Sequence, residues 1–373
     1  MRIVFVGGGT GGHFYPLIAI AEAIRESDKN LGRISDLYYM GPTVYSQKSL
    51  EKLEIKFVYC PSGKQREYRS LRNYFDTFKV IAGIFIAFIK LYWLYPDVIM
   101  SKGGYTSAPV VISAWLLRIP IIIHESDAVP GKANKLAARF ARYIGIAHDD
   151  VATYFPPKKV ALVGMPIRQD FFKPISDPAK SLGVPNDRPI ILVTGGSTGA
   201  VRLNDFVITS LPKLLVSYTV IHQVGEANVI RVTQSASALI TDHNMLEHYF
   251  VLGHISPGEF AAALRASSLV ITRAGSTTLF EIALVEKPSI IIPIPEDISR
   301  DQRSNAYAYA RSGAATVLEE HNLSDDILVA EIHRILKTPQ VYEKMRSAAR
   351  GFTSPRAAYT LADTLRSIAS EHE

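Results

Sequence analysis

Short apolar, largely β-branched runs recur along the chain, each separated from the next by a stretch long enough for a helix. They lie at residues 3–6, 37–40, 57–59, 98–100, 121–123, 144–147 and 160–163, then at 190–193, 219–223, 250–252, 269–271, 289–292 and 316–318. Strands alternating with helix-length segments predict parallel sheets covered on both faces. A chain of 373 residues also exceeds what one hydrophobic core supports, which predicts two domains. The second half restarts on the plan of the first: RPIILVTGGSTGA repeats the strand, glycine loop and helix start of MRIVFVGGGTGGH. The expected division is a first domain over 1–167, a linker over 168–187 and a second domain over 188–353. The linker carries the Pro-, Ser- and Asp-rich string FFKPISDPAKSLGVPND from Phe171. The fold class is α/β, two doubly wound Rossmann-like domains facing a central cleft, with ligands beyond the C-terminal strand ends.

The unusual residues fall at those ends. Gly7, Gly9 and Gly12 satisfy G-x-G-x-x-G, a weak dinucleotide sign on its own. The second strand ends LYYMGP, without the acid that would hold a ribose, and this argues against NAD or FAD. His13, at the tip of the same loop, fits a proton acceptor or a helix-start histidine equally well. GGSTGA brings Ser197, Thr198 and backbone N–H groups to a helix start, a setting for phosphate oxygens. It has no P-loop lysine, so ATPase chemistry is not expected. Arg168 would neutralise a second phosphate or serve as an ordinary surface arginine. Glu281 in RAGSTTLFE suits a ribose diol or a helix-start charge. Asp301, Gln302 and Asn305 in DQRSN suit sugar hydroxyls or a solvated helix start. The chain has no Asp-x-Asp, no metal-spaced histidines and one cysteine, Cys60. No metal and no cofactor are expected, and an intramolecular disulfide is excluded.

A net charge of +6 and a pI near 9.1 favour anionic partners: phosphates, anionic lipid or nucleic acid. The N-terminal apolar run is four residues long before glycine, and no signal peptide is expected. VIAGIFIAFIKLYWLY (80–95) reads as a buried helix or as a membrane surface. At ~100° per residue Arg72, Lys79 and Lys90 share one direction, with Phe75, Ile86 and Trp93 ~40–60° to one side. Cations bordered by aromatics match a headgroup layer, so Lys79, Ile86, Lys90 and Trp93 are expected to face a membrane.

GGGTGGHFYP, SKGGYTSAP, HESDAVPGKAN, GGSTGA, RAGSTTLFE and DQRSNA, in this order, resemble the MurG family of glycosyltransferases over essentially the whole chain. That resemblance implies the GT-B architecture, with a last helix (354–373) crossing back to the first domain. It implies inverting, metal-independent transfer of N-acetylglucosamine from UDP-N-acetylglucosamine to the C4 hydroxyl of undecaprenyl-linked lipid I, forming lipid II in peptidoglycan synthesis. It further implies peripheral attachment to the anionic cytoplasmic face of the membrane, partners in a cell-wall synthesis complex, and no nucleic acid. His13 and Glu125 would be catalytic. Thr10, Gly11, Gly12, Asp127, Arg168, Ser197, Ile255, Glu281, Asp301 and Gln302 would take the UDP-sugar. Gly9, Gly103, Gly104 and Tyr105 would form the acceptor loop. The chain departs from the family at Ser126-Asp127, Asp301, Thr198 and Met165, where Gln-Asn, Gln, Gln and Asn are usual. A carboxylate accepts hydrogen bonds but cannot donate as an amide does, which bears on the donor sugar. A glycolipid transferase with another acceptor, a UDP-sugar epimerase, a non-catalytic UDP-sugar-binding subunit and, less favoured, an NAD oxidoreductase are the alternatives.

Overall fold

The computed structural model describes residues 1–63, 71–196, 200–295 and 300–371, with the side chains of 71–75, 300 and 301 outside that description. The chain divides into two compact units, one of Met1–Gln169 with Ser354–Glu373 and one of Asp170–Thr353.

The first unit holds a sheet of β1 (Arg2–Gly7), β2 (Asp36–Gly41), β3 (Ile55–Tyr59), β4 (Val98–Gly103), β5 (Ile121–Glu125), β6 (Tyr143–Ile146) and β7 (Val160–Leu162). Its order is β3-β2-β1-β4-β5-β6-β7, all parallel. Side chains alternate between the faces of a strand, and here both faces are covered. Ile3 and Phe5 pack with Leu17, Ile20 and Ile24 of α1 (Gly11–Leu31) and with Leu361 and Leu365 of the last helix, Ala357–Ser370. Val4 and Val6 pack with Ala87, Leu91, Val110 and Ala114 from the helices Leu71–Leu94 and Ala108–Leu116.

The last helix is bound into this unit by charge as well. Arg366 reaches Asp28 at 2.6 Å, with side-chain exposures of only 14% and 6%, and donates to the Ile24 carbonyl at 2.9 Å.

The second unit is a six-stranded parallel sheet in the order β10-β9-β8-β11-β12-β13. Its strands are β8 (Ile190–Thr194), β9 (Thr219–Gln223), β10 (Tyr249–Leu252), β11 (Leu269–Thr272), β12 (Ser289–Ile291) and β13 (Ala315–Val317). Ile191 and Val193 pack with Leu203, Val207 and Leu211 of the helix Val201–Leu214. The stretch expected as a linker carries a helical turn at Gln169–Phe171 and a short helix at Pro178–Ser181. Phe171 is fully buried there, edge-on to Phe260 at 6.2 Å, and its carbonyl accepts from Arg265 at 2.6 Å.

Each sheet reverses its strand order once, between β1 and β4 and between β8 and β11. Ligands of doubly wound folds bind beyond the strand ends at such a reversal.

Candidate active site

In the first unit the reversal brings together the loop after β1, the end of β4 and the loop after β5. α1 starts at Gly11 with Thr10 as its N-cap, without a side-chain cap bond and without an acid in its first turn. Its leading N–H groups are therefore open to an external anion. The Tyr39 hydroxyl fastens the loop by donating to the Gly7 carbonyl at 2.7 Å.

His13 sits in the first turn of α1, partly exposed, with its Nδ1 enclosed and without a hydrogen-bond partner among the described residues. Its pKa is lowered to about 4, first by burial, then by the Lys102 ammonium, with Asp127 pulling the other way. The ring is neutral at neutral pH, the form that can accept a proton. Gly104 lets β4 pass close to it. That residue has φ 78, and a Cβ there would lie 2.9 Å from the Gly8 carbonyl oxygen and 3.0 Å from His13 Cδ2. Tyr105, half-buried, leans on Gly9, so the expected acceptor-loop residues Gly9, Gly103, Gly104 and Tyr105 do converge with His13.

Glu125 ends β5, is 3% exposed and is spent on its own loop. Oε1 accepts from the Asp127 N–H at 3.0 Å, and Oε2 from the Gly131 N–H at 3.1 Å and Asn134 Nδ2 at 3.0 Å. Burial and the neighbouring Asp127 raise its pKa, against Lys102 and these donors. The geometry suits a brace that shapes the Ser126–Gly131 turn, whose Asp127 acts by charge on His13.

Arg168 lies in this same unit, 8% exposed, its guanidinium 4.1 Å over the ring of Tyr15 on α1. The family resemblance puts it among the residues that take the UDP-sugar. Lys102 inside SKGG, which no motif marks, is 1% exposed in β4.

In the second unit, Thr194 Oγ1 donates to Gln223 at 2.7 Å and accepts from the Gly196 N–H at 3.2 Å, shaping the loop that follows β8. Ser197, Thr198 and Gly199 lie outside the described residues, as does the side chain of Asp301. Glu281 is 3% exposed within the helix Ser276–Leu284, and Gln302 Oε1 in Arg300–Arg311 is buried without a partner among the described residues. Ile255 is half-exposed in the loop between β10 and the helix Pro257–Ala266. A pair the sequence did not mark lies nearby in the chain. Arg273, just past β11, donates to Glu320 at 2.6 Å, and Glu320 also accepts from Arg202 at 2.9 Å. Breaking such a buried pair costs roughly 3–5 kcal/mol. Among the described residues, a cavity of about 470 Å³ is lined by Arg202, Phe206, Pro295 and His321 and not by Arg168, Ile255, Glu281 or Gln302.

Of the expected membrane face, Lys79 and Trp93 are exposed while Ile86 and Lys90 are half-buried. Lys90 Nζ donates to the Tyr59 carbonyl at 2.7 Å. Phe78, Ile81, Phe85 and Tyr92 join Trp93 in the open, at 59–79% exposure. Among the described residues this helix, over Asp76–Leu94, is the one long and apolar enough to cross a membrane. One side of it nonetheless packs in the core through Ala87 and Leu91. Among the described residues no three His, Cys, Asp or Glu side chains gather as a metal site.

Comparison with known proteins completes the description. Residues 3–146 match the glycosyltransferase family 28 N-terminal domain, and residues 190–361 match the family 28 C-terminal domain. The chain belongs to glycosyltransferase family 28. It is 35% identical to a Bacillus thuringiensis protein named UDP-N-acetylglucosamine–N-acetylmuramyl-(pentapeptide) pyrophosphoryl-undecaprenol N-acetylglucosamine transferase 2, covering 96% of this chain and 97% of that one. Transferases of the same name from Lachnospira eligens and Treponema denticola are 37% and 32% identical, over 90% and 98% of this chain and 90% and 97% of theirs. These relatives place it in the MurG branch of the family. The crystal structure of Acinetobacter baumannii MurG superposes with a TM-score of 0.73 at 23% identity, covering 98% and 99% of the two chains. A UDP-GlcNAc 2-epimerase from Neisseria meningitidis reaches 0.71 at 15% identity, over 98% and 100%. Both are likenesses of fold, that of paired Rossmann-like GT-B domains. Family 28 membership is what separates the transferase from the epimerase.

Proposed function

We propose that the protein transfers N-acetylglucosamine from UDP-N-acetylglucosamine to the C4 hydroxyl of undecaprenyl-linked lipid I, forming lipid II for peptidoglycan. The observation that carries this reading is identity to the MurG-type transferases along nearly the whole of both chains. His13 accepts the proton as the acceptor oxygen attacks the anomeric carbon with inversion, and Glu125 braces the turn that carries Asp127. The acceptor lies on Gly9, Gly103, Gly104 and Tyr105. The donor is held by the loop after β8 with Ser197, by Ile255, by Glu281 at the ribose, and by Asp301 and Gln302 at the sugar. Thr10, Gly11, Gly12 and Asp127 approach the same sugar. Arg168 and helix N–H groups meet the charge that grows on the departing diphosphate, with no metal required. The exposed aromatic face of Leu71–Leu94 rests on the anionic cytoplasmic surface of the membrane and keeps the enzyme near its lipid acceptor and other cell-wall enzymes.

The test is UDP release with lipid I and, in parallel, UDP-linked N-acetylglucosamine, galactose or glucose, each with and without EDTA. Release with the N-acetylglucosamine donor, dependent on lipid I and indifferent to EDTA, is expected. Asp127 and Asp301 make the galactose and glucose arms informative, since their turnover would reassign the donor. Turnover without lipid would point to an epimerase, and loss of activity in EDTA would reinstate a metal.

A further inference from the structure

Lys102 lies in β4 at 1% exposure, and its Nζ has no hydrogen-bond partner among the described residues. Buried ammonium groups are nearly always paired, because a charge leaving water without a partner is strongly disfavoured. The backbone nonetheless takes trouble to put this one here. Along β1 and β4, Val6 faces Ser101 and the next pair is Gly7 with Gly103, so Lys102 is the extra residue of a bulge. A bulge re-aims a side chain out of the regular alternation. Gly7 leaves room for the stem, since a Cβ on it would sit 2.7 Å from Lys102 Cβ.

The ammonium acts by charge on His13, His124, Glu125 and Asp127. Glu125 is no idle counter-ion, because loop donors already occupy both its oxygens. Burial lowers the Lys102 pKa to about 8, which leaves it mostly protonated at neutral pH. The adjoining start of α1 has no cap and no acid of its own. A helix start without a side-chain cap bond, next to a buried ammonium whose N–H donors are unused among the described residues, is a site suited to an anion.

We propose that Lys102 is a phosphate-binding residue, its N–H donors held unspent for the acceptor's diphosphate when that group sits on the start of α1. This deepens the function proposed above and rests on the acceptor binding in the first unit. The donor carries the same diphosphate chemistry, so the test must tell the two apart.

Lys102→Met keeps the length of the side chain and removes the charge. Losing a charge-assisted hydrogen bond predicts a rise of ~10- to 100-fold in KM for lipid I, larger than any change in kcat or in the KM for UDP-N-acetylglucosamine. Without substrates the variant should melt at about the wild-type temperature or higher, because the ammonium makes no hydrogen bond among the described residues and Glu125 keeps its loop donors. Inorganic pyrophosphate should raise the melting temperature of wild type and do so much less for the variant, a readout that needs no turnover. If wild type transfers no sugar at all, the function reading has failed and the pyrophosphate shift still decides Lys102. An unchanged KM for lipid I, a rise in donor KM instead, or an undiminished pyrophosphate shift overturns the proposal. So does a variant that melts lower or fails to fold, since it would assign Lys102 to the scaffold.

Discussion

His13 shows how its surroundings set the working range of one side chain. Burial and the Lys102 ammonium hold its pKa near 4, so the free enzyme carries a neutral ring down to that pH. Below it the ring is protonated and has no lone pair to offer, and the rate falls as pH drops. The acid limb of kcat/KM, which reports the free enzyme, should therefore lie near 4 rather than near 6.5. A bound diphosphate favours the protonated ring, so the limb of kcat should lie higher than that of kcat/KM. His13→Ala should lower kcat by ~10²–10⁴-fold and leave UDP affinity unchanged. A variant with wild-type kcat would move the proton acceptor elsewhere, with Asp127 the next to replace. At this scale the sequence marks some residues and hides others. The glycines around His13 advertise it, whereas Lys102 is concealed by its setting. The apolar run of β4 stops at Met100, but the strand continues through Ser101 and Lys102 to Gly103. A lysine in a glycine-rich string reads as surface, and the bulge that turns it inward has no signature in composition.

The Leu71–Leu94 helix carries the next level of argument. Helical phase singles out Lys79, Ile86, Lys90 and Trp93; of these Lys79 and Trp93 are exposed, and the exposed surface continues through Phe78, Ile81, Phe85 and Tyr92. The legible signal was on the opposite side. Gly83 and Ala87 lie four residues apart and are both buried, with Leu91 buried one turn further on, and small residues at that spacing mark where a helix lies close to its neighbours. Phe85 and Trp93 are 67% and 79% exposed, so charging them leaves the core alone. Phe85→Glu with Trp93→Glu should weaken binding to anionic phospholipid vesicles by more than ~10-fold, given ~1.5–3 kcal/mol for each large apolar side chain buried. The melting temperature should hold. Vesicle binding at wild-type strength would remove this face from membrane contact. The strands were easier to read, each beginning within two residues of its apolar run, because both faces of a parallel sheet demand β-branched side chains.

For the molecule as a whole, the informative element is the helix Ala357–Ser370. It follows the second unit in the chain, yet it supplies Leu361, Leu365 and Ile368 to the core of the first. Arg366→Ala removes the shortest ionic partner of the buried Asp28 and leaves it the Ser35 donors and Arg25 at 3.8 Å. A loss of about 3 kcal/mol is expected, the low end for a broken buried pair, at roughly 2–4 °C in melting temperature per kcal/mol for a unit of this size. An Arg366→Ala protein melting with wild type would show that apolar packing alone holds the helix.

The same arrangement governs how the protein is made. While the ribosome is still translating the second sheet, the strands of the first have been made but the helix that fills the apolar groove along α1 has not. Folding of the first unit can finish only after the segment around residue 370 has emerged from the exit tunnel, so a stalled or truncated message releases a polypeptide with an incomplete N-terminal half. Such products would be the natural clients of chaperones and proteases.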